Sequence, residues 1–425
     1  MTEQTHDQRS GMVVTVGTGT AGGPDSLAAA LAWSIDQSGV DAVTFVVTPE
    51  STRTAQKVKE IMAADYPASN ARISWETVGP LPTMEDVNVI FGFCLEAIRG
   101  LEELGIDRPQ VIVNYTSGTK AMSAAAALAG SSLGCRLVYV SGEREAGIVK
   151  PGTEVSFAAP PNAFQAFHDL QLARRMVQRL QFRAAMALCK DVAREHLSAQ
   201  DERYRRNLYR LAIAYDAWEK FDHAEAAKLF GRIEDGLDAL DELRPDAATI
   251  ERLRSLGAGD EQPSSYSPEL IADLLANAAR RIDPEGKSDD AVARLYRAVE
   301  MTAQYVLWRD YRIDTGAIQQ APLGAHDERR QARIRDLIRC RDNIGLRQAY
   351  ELLKILDDQL GPALASSGVS GRLQQRNLSI LAHGVTPVSQ REATRFQRAV
   401  LQLVTVAIPD IDRLVSEQQF PWLRE

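Results

Sequence analysis

The sequence predicts an α/β domain followed by all-α structure: an N-terminal parallel sheet, a helical connector and a C-terminal helical bundle. Three observations predict it. Short apolar runs alternate with helical stretches as far as Phe157, Pro160-Pro161 then mark a change of composition, and the chain beyond repeats apolar residues at three- and four-residue spacing. The expected domains span 1–160, 161–267 and 268–425.

Composition supports several cores. At 425 residues the chain exceeds what one core usually holds, and 45% hydrophobic with 25% charged residues is ordinary for a globular protein. A formal net charge of −8 argues against a general phosphate-coating surface and leaves room for a local basic pocket. Cys94, Cys135, Cys189 and Cys340 are too far apart for a CxxC zinc pattern or a disulfide framework. Widely spaced thiols, a polar start MTEQTHDQRSG and the lack of 18 uninterrupted apolar residues predict a soluble cytoplasmic protein with no membrane association.

The first strand is MVVTV, Met12 to Val16, followed by the small-residue loop Gly17-Thr18-Gly19-Thr20-Ala21-Gly22-Gly23 and a helix over Ser26 to Ser34. A strand over Ala42 to Val47, a helix over Thr52 to Ala64, a strand near Ile73 to Val78 and a helix over Met84 to Leu104 continue the alternation. Gln110 to Asn114 is the next strand. It turns through Tyr115-Thr116-Ser117-Gly118-Thr119-Lys120 into a helix over Ala121 to Leu133, then a strand over Arg136 to Ser141 and a terminal hairpin or strand pair over Gly147 to Phe157. Such βαβ units make a Rossmann-like sheet, with ligands beyond the carboxyl ends of its strands.

Two loops at those ends have the chemistry to hold an anion: Gly17, Thr18, Gly19 and Thr20 in the first, and Asn114, Thr116, Ser117, Gly118, Thr119 and Lys120 in the second. Small residues let backbone N–H groups approach a phosphate, helix N-termini favour negative charge, and Lys120 adds a cation. Each loop also reads as plain structure, the first as a tight βα turn and the second as a capped helix start with an exposed lysine. Neither is a Walker A loop, and GTGTAGG does not reproduce GxGxxG with its downstream acid, which weakens ATPase and dehydrogenase readings.

The second loop, VNYTSGTKAMSAAAA, resembles the signature loop of CARF domains, the Rossmann-like sensors of type III CRISPR systems. The resemblance implies binding of a cyclic oligoadenylate, a cyclic tetra- or hexa-adenylate, across a dimer interface. Many relatives carry a second glycine where this chain has Ser117.

Past the prolines, a helix over Asn162 to Glu195 is expected to bury Phe164, Phe167, Leu170, Leu172, Met176, Val177 and Leu180. Helices over Arg203 to Trp218 and His223 to Gly231 follow, with Trp218, Phe221 and His223 as packing residues, and Leu256 to Pro268 reads as a loop. Their aromatic and alanine-rich pattern also resembles the helical linker of one branch of those proteins. Further helices are predicted over Pro268 to Arg281, Asp289 to Tyr311, Glu328 to Ile338, Leu346 to Leu360, Val369 to Ala382 and Ser389 to Val415. The run Arg329, Arg330, Arg333, Arg335, Arg339, Arg341 and Arg347 reads first as a solvated helix face.

Arg376 and His383 lie seven apart, about two helical turns, with Asn377 beside them. A guanidinium beside an imidazole suits phosphodiester cleavage, and on many amphipathic helices the same pair is simply solvated. An arginine, six intervening residues and a histidine at the end of a helical bundle resemble the motif of HEPN ribonucleases. With the loop upstream, the whole chain resembles the CARF–HEPN accessory ribonucleases of type III CRISPR systems.

That resemblance implies an endoribonuclease activated allosterically by cyclic oligoadenylate. It would cleave single-stranded RNA in antiviral defence by attack of the RNA's own 2′-hydroxyl, with no metal or other cofactor. Arg376, Asn377 and His383 would be catalytic, each motif half of a site completed in a homodimer. Some CARF domains also degrade their own activator, and in that alternative Thr116, Ser117 and Lys120 would position the ligand's 2′-hydroxyl for attack. A different class of function is a non-enzymatic cyclic-oligonucleotide sensor whose helical domain binds a partner or nucleic acid.

Overall fold

The computed structural model describes residues 9–19, 23–145, 148–149, 152–159, 162–192, 197–234, 236, 238–259, 266–322, 324, 327–371 and 385–424. These fall into two compact units, one of residues 1–170 with 192–202 and the other of residues 171–191 with 203–425.

The first unit is built on a sheet in the order β3-β2-β1-β4-β5-β8. Its strands are β1 (Gly11–Thr15), β2 (Ala42–Val46), β3 (Ser74–Val78), β4 (Val111–Asn114), β5 (Arg136–Ser141) and β8 (Val155–Ala159), with a small hairpin of β6 (Arg144–Glu145) and β7 (Ile148–Val149) beside them. β1, β2 and β4 are buried along their whole length, because helices cover both faces, and such strands are mostly apolar. The strands from β3 to β5 pair in parallel, and β8 returns antiparallel to β5, with Tyr139 opposite Phe157. The terminal hairpin or strand pair expected within Gly147 to Phe157 is not seen among the described residues: β7 pairs with β6, and β8 joins the main sheet beside β5.

Helices α1 (Gly23–Ser38) and α2 (Thr52–Asp65) cover one face, where Leu31, Ile35, Val58 and Met62 meet Met12, Val14 and Phe45. A short α3 (Pro67–Asn70) follows α2. On the opposite face α4 (Val87–Glu103) and α5 (Lys120–Ser132) bring Ile90, Ile98 and Met122 against Val13, Val46 and Val113. α5 lies close to the sheet because its inner side is Ala125, Ala126, Ala129 and Gly130; a Cβ on Gly130 would stand 2.6 Å from the Leu137 side chain. α4 starts at Val87 rather than at Met84, because the Asp86 carboxylate accepts the N–H groups of Asn88 and Val89 as a cap.

The connector departs from the expected single long helix. α6 (Asn162–Gln178) and α7 (Phe182–Asp191) are separate, with Leu180 at φ +61° between them. Leu170, Val177 and Leu180 are buried as expected and Leu172 and Met176 half-buried, while Phe167 is 62% exposed; the side chain of Phe164 lies outside the described residues. α8 (Ala199–Glu219) and α9 (His223–Phe230) form a hairpin that turns at Phe221, φ +64°. α10 (Ala247–Gly257), capped by Asp246, lies where the sequence predicts no element and overlaps the loop expected over Leu256 to Pro268 only at Leu256 and Gly257.

In the second unit, α11 (Pro268–Ile282) packs along α12 (Ser288–Tyr311), which also meets α14 (Leu346–Ile355) and α16 (Gln390–Thr405). Ile271, Leu275, Leu295, Val299, Tyr350, Phe396 and Val400 share this core. α13 (Glu328–Ile338) has the predicted bounds. Two expected helices are broken. Asp357, φ +59°, divides Leu346 to Leu360 so that α15 (Leu360–Ser366) follows α14, and Pro409 lies between α16 and α17 (Ile411–Glu417). Of the helix expected over Val369 to Ala382, residues 369–371 are helical and the remainder lies outside the described residues.

Connector and bundle share one aromatic core. Tyr215 and Trp218 of α8 and Phe182 of α7 close around Phe420, and Phe230 of α9 packs edge-on against Tyr215 and Trp218. Trp218 donates its indole N–H to Asp273 Oδ1 at 2.9 Å, and His223 Nε2 sits 2.8 Å from Asp273 Oδ2, both buried. Trp218 and His223 are thus the packing residues expected. Beside them Glu219 holds Arg280 and Arg281, and the Arg280 guanidinium lies 4.0 Å over the Phe420 ring.

Candidate functional site

Strand β1 and its neighbour β4 send the chain to opposite sides, β1 toward β2 and β4 toward β5. Strand order reverses between them, and in open α/β sheets the crevice beyond the carboxyl ends of such a pair is where ligands bind. The loops that leave these two strands are the two singled out by sequence, and they are bonded to each other.

Gly17 donates its N–H to Ser117 Oγ at 2.8 Å, and Thr15 Oγ1 donates to the Ser117 carbonyl at 2.6 Å. The backbones approach so closely that a Cβ on Gly17 would lie 2.9 Å from Gly118 Cα. Gly118 itself sits at φ +100°, a left-handed conformation that favours glycine. Ser117 is buried, and its hydroxyl ties one loop to the other.

Asn114 and Thr116 set the shape of the second loop. Asn114, fully buried at the end of β4, donates from Nδ2 to Ser34 Oγ of α1 at 2.9 Å. Its Oδ1 accepts both the Thr116 N–H, at 3.1 Å, and the Thr116 hydroxyl, at 2.5 Å. Thr116 Oγ1 in turn accepts the Val140 N–H at 2.8 Å. The Thr116 proton is therefore committed inside the loop.

Gly118, Thr119 and Lys120 form the exposed lip. Thr119 caps α5 by accepting the Met122 N–H at 3.2 Å, and its hydroxyl donates to the Met84 carbonyl at 2.8 Å. The N–H groups of Gly118, Thr119 and Lys120 have no backbone partner among the described residues. With the positive end of the α5 dipole behind them and Lys120 beside them, they make a set of donors suited to a phosphate. Thr18 is exposed and Gly19, φ +84°, half-buried across from this lip; Thr20 lies outside the described residues.

The six residues of the second loop thus divide into two sets. Asn114, Thr116 and Ser117 shape the loop, and Gly118, Thr119 and Lys120 present it. Sequence reasoning missed the partners that fix that shape: Thr15, Ser34, the Met84 carbonyl and the Val140 N–H. Ser34 and Asn114 are 80 residues apart, so no local pattern could have paired them.

The other predicted site, Arg376, Asn377 and His383, lies outside the described residues. Of the arginine run before it, Arg330 pairs with Asp357 and Arg335 bonds Gln331 at 2.9 Å, while Arg329, Arg333, Arg339, Arg341 and Arg347 are exposed.

Comparison with known proteins bears on the helical region. Residues 262–407 match the family model described as Csm6 HEPN domain. The C-terminal region is similar to the HEPN domain of Csm6. The HEPN match encloses Arg376, Asn377 and His383 in sequence, together with α11 to α16. Among solved structures, Enterococcus italicus Csm6 bound to cyclic hexa-2′-fluoro-hexa-dAMP is similar in fold, with a TM-score of 0.55 at 13% identity over 97% of this chain and 99% of that one. No curated protein matches the chain by sequence. The resemblance to CARF–HEPN accessory proteins therefore holds by family over the HEPN region and by fold along nearly the whole chain, a Rossmann-like sheet followed by helices. No helix among the described residues is long and apolar enough to cross a membrane.

Proposed function

We propose that this chain is an endoribonuclease of type III CRISPR antiviral defence, switched on by a cyclic oligoadenylate and cleaving single-stranded RNA. The observation that carries this reading is positional: an arginine and a histidine with six residues between them fall inside the region matched as a Csm6 HEPN domain. The paired loops at the strand switch point support the sensor half. The solved Csm6 of similar fold was bound to a cyclic hexanucleotide analogue.

In the proposed reaction the RNA supplies its own nucleophile. Its 2′-oxygen forms a bond to the adjacent phosphorus as the bond from phosphorus to the 5′-oxygen breaks, leaving a 2′,3′-cyclic phosphate and a 5′-hydroxyl. His383 handles the proton leaving the 2′-hydroxyl or the one reaching the 5′-oxygen, and Arg376 stabilises charge on the phosphoryl oxygens. Asn377 orients the phosphate. No step of this route calls on a metal. One chain supplies one motif, so the competent site takes two, in a homodimer. The activator acts by binding the competent arrangement more tightly than the incompetent one.

The test is cleavage of single-stranded RNA with and without cyclic tetra- and hexa-adenylate. Stimulation by one ring is expected, with loss of cutting but not of ring binding in His383→Ala. No stimulated cleavage with either ring would overturn the reading.

A further inference from the structure

The outward face of α16 carries Arg391, Arg395 and Arg398, all exposed, while Ala393, Phe396, Ala399 and Val400 are buried against the bundle. Spacings of four and three residues place the three guanidinium stems within about 60° of one another around the helix, in a row of about 10 Å. The row begins eight residues beyond His383 in the sequence.

Nothing in the fold accounts for it. Like charges three and four residues apart repel along a helix, and Arg391 in the first turn opposes the positive end of the helix dipole. The helix has a single acid, Glu392, and its carboxylate is tied to the cap, accepting the N–H of Ser389 at 3.0 Å and its hydroxyl at 2.6 Å. None of the three arginines has a direct ion pair among the described residues, although the Arg395 charge adds to the Ser389 hydrogen bonds in holding the Glu392 carboxyl below its usual range. Elsewhere in this unit Arg294 pairs with Asp290, Arg297 with Glu300 and Arg413 with Asp410 and Glu417, while Arg329, Arg333 and Arg347 are exposed without an ion pair among the described residues. In a chain of net charge −8, the row is a local concentration of positive charge.

We propose that this row is a track for the phosphate backbone of the RNA substrate, guiding the strand to the cleavage motif that precedes it in the chain. The proposal rests on the ribonuclease reading and deepens it by naming the substrate contact. A polyanion restores what the fold leaves out: each guanidinium gains a phosphate, and the repulsion along the helix is neutralised. Such contacts are independent of base sequence, so the row sets affinity rather than cutting preference.

The test compares the full chain with the triple variant Arg391→Gln, Arg395→Gln, Arg398→Gln, and with the corresponding triple lysine variant. RNA binding is followed by fluorescence anisotropy across a salt series in a His383→Ala background, so that the RNA survives, and cleavage is followed in the otherwise native chain. The glutamine variant is expected to lose about two units of the slope of log affinity against log salt, roughly 0.7 per phosphate contact, and to raise KM about tenfold with kcat unchanged. The lysine variant keeps most of the slope. An unchanged slope and KM in the glutamine variant, with RNA still bound and cut, would overturn this inference alone. A native chain that neither binds nor cuts RNA would overturn the ribonuclease reading along with it.

Discussion

At the scale of single residues, the second loop separates side chains that shape a site from those that would touch a ligand. Thr116 Oγ1 bridges Asn114 Oδ1 and the Val140 N–H, so Thr116→Val leaves a backbone donor and a buried amide oxygen each short of a partner. A cost of about 1–3 kcal/mol in stability is expected, with weakened ring binding as the loop loses its shape. Lys120 is exposed, so Lys120→Ala should weaken ring binding while leaving the melting temperature within a degree or so of the parent. Thermal melting and ring affinity measured together check the division, which fails should Thr116→Val weaken binding with no loss of stability. The chemistry of the loop was legible because Gly118, Thr119 and Lys120 are adjacent in sequence. The lock on it was not, because Ser117 reaches back to Gly17 across 100 residues.

At the scale of elements, strands and most helices could be read where one periodicity ran without competition. The buried β1, β2 and β4 are mostly apolar runs, broken only by Thr15, Thr44 and Asn114, and α12 shows its Val292, Leu295 and Val299 face every three to four residues. Breaks were harder. Leu180 and Asp357 adopt positive φ without being glycine, a cost that surrounding packing must over-determine and that no local pattern announces. Least legible was the C-terminal segment, whose aromatic residues find their partners far upstream. Phe420 is fully buried between Phe182, Tyr215 and Trp218, and Trp422 donates its indole N–H to the Gln178 carbonyl at 3.0 Å, 244 residues away. Phe420→Ala would also leave the Arg280 guanidinium without the ring beneath it. We expect it to cost about 3–5 kcal/mol, the range for truncating a buried aromatic, measured by denaturant unfolding of the full chain. A loss below about 1 kcal/mol would mean that the segment merely lies on the surface of the connector.

At the scale of the whole molecule, the proposed function turns on number. A single motif offers one imidazole, one guanidinium and the Asn377 amide, whereas the proposed reaction takes a proton from the 2′-hydroxyl, returns one to the 5′-oxygen and stabilises the phosphoryl charge, so the proposal has two chains contribute. Mixing separates this from an alternative in which each motif cuts alone. When native chains and His383→Ala chains exchange freely, dimers of two native chains form in proportion to the square of the native fraction. At equal amounts and with saturating ring, shared sites retain about one quarter of the all-native activity at constant total protein, whereas independent motifs retain about one half. Because His383→Ala leaves the sensor loops intact, ring binding stays constant across the series and the activity curve reports the motif alone. A straight line against native fraction would show that one motif suffices, and a quadratic one that the arginine and histidine act only across a pair.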